Sequence, residues 1–195
     1  EKFTFFPQAK LNIVKSCFRA DPSEIAIVYQ AECGVVEKVS YGELEEMTKQ
    51  VAAGLRVLGV TPGSRIAIDM PMTTESIAIY LGIIWAGCAV VGIADSFAAP
   101  EIRKRIDLAE PVVVFTQDVV RRGKKIIPLY ERIKEADAPL AVVLPEPGCL
   151  LRDSLRHGDI SWDEFIGEGS IDCIICGSRD YTNILFSSGT TGAPK

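Results

Sequence analysis

The run Phe186-Ser187-Ser188-Gly189-Thr190-Thr191-Gly192-Ala193-Pro194-Lys195 gathers four hydroxyl side chains, two glycines and a lysine within nine positions. Such a set suits a polyphosphate. Hydroxyls donate to phosphate oxygens, and glycines let backbone N–H groups approach an anion with no Cβ in the way. Lys195 adds a compact cation for β/γ-phosphates, and Pro194 stiffens the loop beside it. The run is not a Walker A loop, which has four residues between its glycines and Lys directly after the second. Here two residues separate Gly189 from Gly192, and Lys195 follows three later. Ser, Thr, Gly and Pro are also turn formers, so the composition alone fits a polar surface turn equally well.

A second candidate is the basic cluster Arg121-Arg122-Gly123-Lys124-Lys125. It reads either as a solvated charged turn ahead of a helix or as an anion site. Cys173-Ile174-Ile175-Cys176 has CxxC spacing, but zinc takes four ligands. No second pair accompanies it, and His157 is the only histidine, so no metal site is expected. His157 lies in an irregular stretch and reads as a surface residue. Trp85 reads as core, and Asp95, just past a strand end, as a polar structural residue near the cleft.

The elements that would carry these residues can be read from periodicity. Residues 25–29 and 35–39 are β-rich runs around a Glu-Cys-Gly turn and suggest a hairpin. Ser40 and Glu43 have capping-box spacing. Leu44, Met47, Val51, Leu55 and Leu58 then make one apolar helix face, and Gly59 suits a left-handed C′ position. A strand is expected over 65–70. A helix capped by Thr73 or Thr74 should run to about Ala86, with a strand over 88–93 and a helix opened by Pro100 running to about Ala109. Strands at 112–115, 140–144 and 181–186, a helix over 126–136 and a helical turn at 162–166 complete the reading. Strands alternating with helices give an α/β fold of βαβ units, with a mainly parallel sheet flanked by helices. Ligands in such sheets sit beyond the carboxyl ends of the strands, where the Ser/Thr/Gly run lies.

With 195 residues, 48% of them hydrophobic, and a net charge of −5, the chain suits one globular domain and not a basic nucleic-acid binder. Six scattered cysteines suit a reduced intracellular compartment rather than a disulfide scaffold. The uncharged stretch 77–94 approaches the length of a membrane span. Gly82, Gly87 and Gly92 interrupt it, and it reads instead as a buried helix followed by a buried strand. The opening at Glu1 and the stop at Lys195 within the loop read as part of a longer protein.

Ser188-Gly189-Thr190-Thr191-Gly192-x-Pro194-Lys195 resembles the signature of the adenylate-forming superfamily of acyl-CoA synthetases, luciferases and peptide-synthetase adenylation domains. That family usually has Thr-Ser before the first glycine; Ser187-Ser188 keeps the hydroxyls. Ser40-Tyr41-Gly42-Glu43-Leu44, Leu55 through Gly63 and Trp85-Ala86-Gly87 follow in the family's order. Phe6-Pro7 with Leu11-Asn12 resembles the acetyl-CoA-synthetase branch. Met70-Pro71-Met72, residues 93–97 and Phe115-Thr116-Gln117-Asp118 look closer to plant peroxisomal acyl-activating enzymes.

The resemblance implies that residues 1–195 are an incomplete N-terminal domain of an AMP-dependent synthetase/ligase, truncated at the phosphate loop 187–195. It implies ATP-dependent joining of a carboxylic acid to coenzyme A, with ATP, Mg2+ and CoA as cofactors, small molecules as partners, and a peroxisomal or alternatively cytoplasmic location. Ser187, Ser188, Gly189, Thr190, Thr191, Gly192 and Lys195 would hold the ATP phosphates. Arg122 and Lys125, ahead of Ile127-Pro128-Leu129, would meet the 3′-phosphate end of CoA. No catalytic residue is assigned within these residues. A non-catalytic nucleotide-binding or interaction protein from a truncated gene is the alternative. The family's adenine, ribose and hinge motifs would lie beyond Lys195, so the purified 195-residue chain is expected to show no carboxylate-dependent ATP–pyrophosphate exchange; measurable exchange would contradict this.

Overall fold

The computed structural model describes residues 6–32, 34–152, 154–187 and 194. Two short elements come first: β1 (Lys10–Leu11) and a 3-10 turn over Ile13–Ser16. An antiparallel hairpin follows, β2 (Ile25–Gln30) with β3 (Val36–Ser40), where the sequence places one. Helix α1 (Tyr41–Val57) starts at the expected capping box. Ser40 Oγ accepts from the Glu43 N–H at 3.2 Å, and the Glu43 carboxylate accepts from the Ser40 N–H at 2.8 Å. Each side chain thus satisfies an amide that the first turn leaves without a helical partner. Gly59, at φ +76°, ends the helix.

From there strands and helices alternate. The order is β4 (Arg65–Asp69), α2 (Thr74–Trp85), β5 (Ala89–Ile93), α3 (Ala99–Ala109) and β6 (Val113–Gln117). Then come β7 (Val120–Arg122), β8 (Lys125–Ile127), α4 (Leu129–Glu135), β9 (Leu140–Leu144), β10 (Ile160–Ser161) and α5 (Trp162–Phe165). The last two are β11 (Cys176–Gly177) and β12 (Asn183–Ile184). The uncharged stretch is indeed a helix and a strand, α2 and β5. No described helix is long and apolar enough to cross a membrane.

Six strands form one parallel sheet in the order β10-β9-β6-β4-β5-β12. Side chains alternate along each strand, so the sheet buries two different sets. Ile66, Val90, Phe115 and Val142 face α1 and α2, whose Val51, Leu55, Ile79 and Ile83 complete one core. Ala67, Val91, Val114 and Ala141 face the opposite way, onto Ile102 and Ile106 of α3 and Tyr130 and Ile133 of α4.

Helices α1 and α2 approach closely at Gly82. A Cβ built there would lie 2.6 Å from Val51 Cβ and 2.9 Å from the Thr48 carbonyl oxygen, both parts of α1 that cannot swing aside. Gly82→Ala is therefore expected to destabilise the protein by about 2 kcal/mol, because the overpacking outweighs the ~1 kcal/mol gain in helix propensity. Urea denaturation checks this, and Val51→Ala in the same chain should recover part of the loss.

Two elements differ from the sequence reading. Residues 126–136 do not form one helix: Lys125–Ile127 is a strand that turns back on β7. Gly123, at φ +60°, makes the tight reversal. Pro128, lacking an N–H, separates the strand from α4. The expected strand over 181–186 is shorter: only Asn183 and Ile184 pair, with Val90 and Val91 at the sheet edge.

Candidate functional site

All six parallel strands point their carboxyl ends the same way, and the Asp95 loop and the 120–127 hairpin follow β5 and β6 at that end. β12 leads out of the sheet to Phe186 and then to Ser187, which is exposed. Ser188, Gly189, Thr190, Thr191, Gly192 and Lys195 lie outside the described residues. The root of the run has an identifiable support. The Arg105 guanidinium, on α3, stands 3.9 Å from the centre of the Phe97 ring and 5.4 Å from that of Phe186. Its Nη1 donates to the Glu101 carbonyl at 2.8 Å and to the Glu101 carboxylate at 3.1 Å. Arg105 is buried, whereas the Glu101 carboxylate it meets is partly exposed, so the stacking on Phe97 is the better shielded of its contacts.

The basic cluster is exposed and lies ahead of α4, as the turn reading expected, and its turn at Gly123-Lys124 is the tip of the β7–β8 hairpin. Arg122 and Lys125 are directly opposed across Gly123-Lys124. Opposed residues of an antiparallel pair project from the same face, so the hairpin sets these two cations side by side. Three acidic residues from three segments hold the hairpin in place. Glu146, beyond β9, accepts from Arg121 Nε at 3.0 Å and Nη2 at 3.3 Å. Glu32 accepts from the Gly123 N–H at 2.7 Å, and Asp95 accepts from Arg122 Nη2 at 2.6 Å. At the hairpin's base, Asp118 accepts from the Val119 N–H at 2.6 Å and from the Arg152 N–H at 3.2 Å.

Asp95 therefore has the polar structural role expected of it, and its loop is also fixed from behind. Arg132 Nη1 donates to the carbonyls of Asp95 at 3.2 Å and Phe97 at 3.0 Å. Beneath it lies a residue the sequence reading missed. Asp69 ends β4 fully buried, and neither carboxylate oxygen has a hydrogen-bond partner among the described residues. Burial pushes its pKa up to about 8, the Asp95 charge adds to the rise, and Arg132 opposes it. The available signal was a carboxylate closing the apolar run Arg65-Ile66-Ala67-Ile68-Asp69, in phase with buried Ala67.

Of the remaining candidates, His157 is exposed and Trp85 is core. Cys173 and Cys176 are half-buried in the segment that packs on the end of α2. There the Ile174 N–H donates to the Trp85 carbonyl at 2.9 Å, and burial raises the pKa of the Cys176 thiol. Among the described residues no group of three His, Cys, Asp or Glu could hold a metal ion.

A parallel sheet covered on both faces recurs in known proteins. The family model for "AMP-binding enzyme" matches residues 15–195. The chain belongs to that family. Hexanoyl-CoA synthase of Cannabis sativa is 41% identical over 98% of this chain and 28% of its own length. The Arabidopsis thaliana protein named "Probable acyl-activating enzyme 17, peroxisomal" is 42% identical over the same shares. Acetoacetyl-CoA synthetase from Streptomyces lividans superposes with a TM-score of 0.88 at 28% identity, over 98% of this chain and 30% of that one. The chain thus has the fold of one part of an acyl-CoA synthetase, and spans under a third of the length of the relatives it matches.

Proposed function

We propose that this AMP-binding chain carries the phosphate-gripping part of an ATP-dependent carboxylic acid–CoA ligase. What supports the reading is the Ser187–Lys195 run of the sequence, which follows β12 in the chain, together with a sheet like that of a CoA synthetase. In the first half-reaction a carboxylate oxygen attacks the α-phosphorus of ATP and pyrophosphate leaves. In the second, the CoA thiol attacks the acyl carbon of the acyl-adenylate and AMP leaves.

On this reading the hydroxyls of Ser187, Ser188, Thr190 and Thr191 donate to β/γ-phosphate oxygens. Gly189 and Gly192 bring backbone N–H groups close, and Lys195 neutralises the charge that builds on departing pyrophosphate. Mg2+ arrives as part of the MgATP substrate, consistent with its habit of riding on phosphates rather than in all-protein cages. Arg122 and Lys125, side by side on the hairpin, meet the 3′-phosphate of CoA. The partners are the carboxylate, ATP and CoA, with no nucleic acid, and the location is peroxisomal by likeness to the Arabidopsis relatives.

The test uses the endogenous protein, captured with an antibody to these residues, weighed intact and assayed with a panel of carboxylates. Carboxylate-dependent exchange of labelled pyrophosphate into ATP, followed by CoA-dependent thioester release, is the expected result. An intact mass near 21.2 kDa with no exchange would overturn the ligase reading in favour of a non-catalytic binding protein.

A further inference from the structure

We propose that Asp95 occupies Arg122 as a built-in stand-in for a ligand phosphate, so that a phosphate can dock on the hairpin only by displacing this carboxylate. The inference rests on the reading of Arg122 as a phosphate contact, and it adds a residue which that reading does not use.

Three observations carry it. First, the contact has the geometry a phosphate oxygen would have: Asp95 Oδ2 sits 2.6 Å from Arg122 Nη2, a short charge-assisted hydrogen bond. Second, the pair is lopsided. The Arg122 side chain is 53% exposed whereas that of Asp95 is 13% exposed. The cation faces solvent and can exchange partners, while the anion stays behind in the protein. Third, each partner has other anchors besides this contact. Asp95 is held through its backbone by Arg132, and the hairpin is held by Glu146 on Arg121 and by Glu32 on the Gly123 N–H. Swapping Asp95 for a ligand phosphate would therefore leave both segments in place.

The swap carries a cost. When Arg122 turns to a phosphate, Asp95 is left mostly desolvated, with buried Asp69 nearby. Lys125, directly opposite Arg122, makes no ion pair among the described residues and supplies a second cation for the incoming anion. The hairpin thus discriminates in favour of a dianionic phosphate, which engages both cations, over a carboxylate or a monoanion, which gains too little to displace Asp95.

The experiment is calorimetric titration of the purified protein with CoA and, separately, with dephospho-CoA, which lacks the 3′-phosphate. Asp95→Asn keeps the size and the backbone carbonyl but removes the competing charge. It is expected to bind CoA about three- to ten-fold tighter, to leave dephospho-CoA unchanged, and to lose the gain when combined with Arg122→Ala. Its melting temperature should stay close to wild type. If Arg122→Ala weakens CoA selectively but Asp95→Asn does not tighten it, the stand-in role falls and the Arg122 reading stands. If Asp95→Asn tightens both ligands equally, the effect is general charge and the stand-in role also falls. If Arg122→Ala leaves the CoA/dephospho-CoA ratio unchanged, or neither ligand binds wild type or Asp95→Asn at millimolar concentration, both readings fall together.

Discussion

Lys195→Ala is expected to slow acyl-adenylate formation by about 10²–10³-fold in the proposed ligase while leaving thioester formation from purified acyl-adenylate within a few-fold. The asymmetry follows from where charge develops. In the first half-reaction the bond from the α-phosphorus to the bridging oxygen breaks, and negative charge accumulates on pyrophosphate. A cation fixed at the β/γ-phosphates stabilises that transition state more than the ground state, and only such differential binding raises the rate. In the second half-reaction pyrophosphate has gone and the lysine has no developing charge to meet. Lys195→Arg keeps the charge but changes a compact ammonium for a planar fork, so an intermediate loss is expected. Single-turnover measurement of the two steps separately is the check, and equal losses in both would remove the assigned role.

Much of the fold follows from local signals. The Ser40/Glu43 box, the threonine cap of α2 (Thr73, of the two threonines expected), the Pro100 start and the Gly59 stop act within one turn of backbone, so local sequence is enough to place them. The parallel sheet was readable from short apolar runs separated by helices, because both of its faces are covered. The β7–β8 hairpin was not readable. Ile126, Ile127, Tyr130 and Ile133 fall close to helical phase, and only the left-handed Gly123 and the donor-less Pro128 divide the stretch into strand and helix.

The candidate site divides in the same way. The three-residue spacing of Arg122 and Lys125 was visible, but that they share a face depends on cross-strand register. Their acidic tethers, Glu32, Asp95 and Glu146, come from distant parts of the chain. Asp69 is the clearest case: its position closing an apolar run, in phase with Ala67, hints at burial, but its desolvation and the nearby Asp95 and Arg132 charges are set by tertiary packing.

That environment makes Asp69→Asn a prediction about stability with a definite sign. In the unfolded chain the Asp69 carboxyl ionises near 3.8, whereas in the fold it keeps its proton up to about 8. Between those values the unfolded chain has released the proton and the folded chain has not. Stability from this group is therefore highest below about pH 4, falls as pH rises towards 8, and levels off above it. Asn is neutral at every pH and close in shape, so it removes the pH-dependent part alone. Any fixed cost of burying the amide is the same at every pH. Asp69→Asn is expected to be more stable than the native chain by about 2–4 kcal/mol at pH 8, and by no more than about 1 kcal/mol at pH 5. This is less than the full shift in pKa implies, because Arg132 can lean towards an ionised Asp69. Urea midpoints of both chains at pH 5, 6.5 and 8 decide it. A stability difference that stays constant across that range would mean that Asp69 is ionised in the fold, and that Arg132 neutralises it.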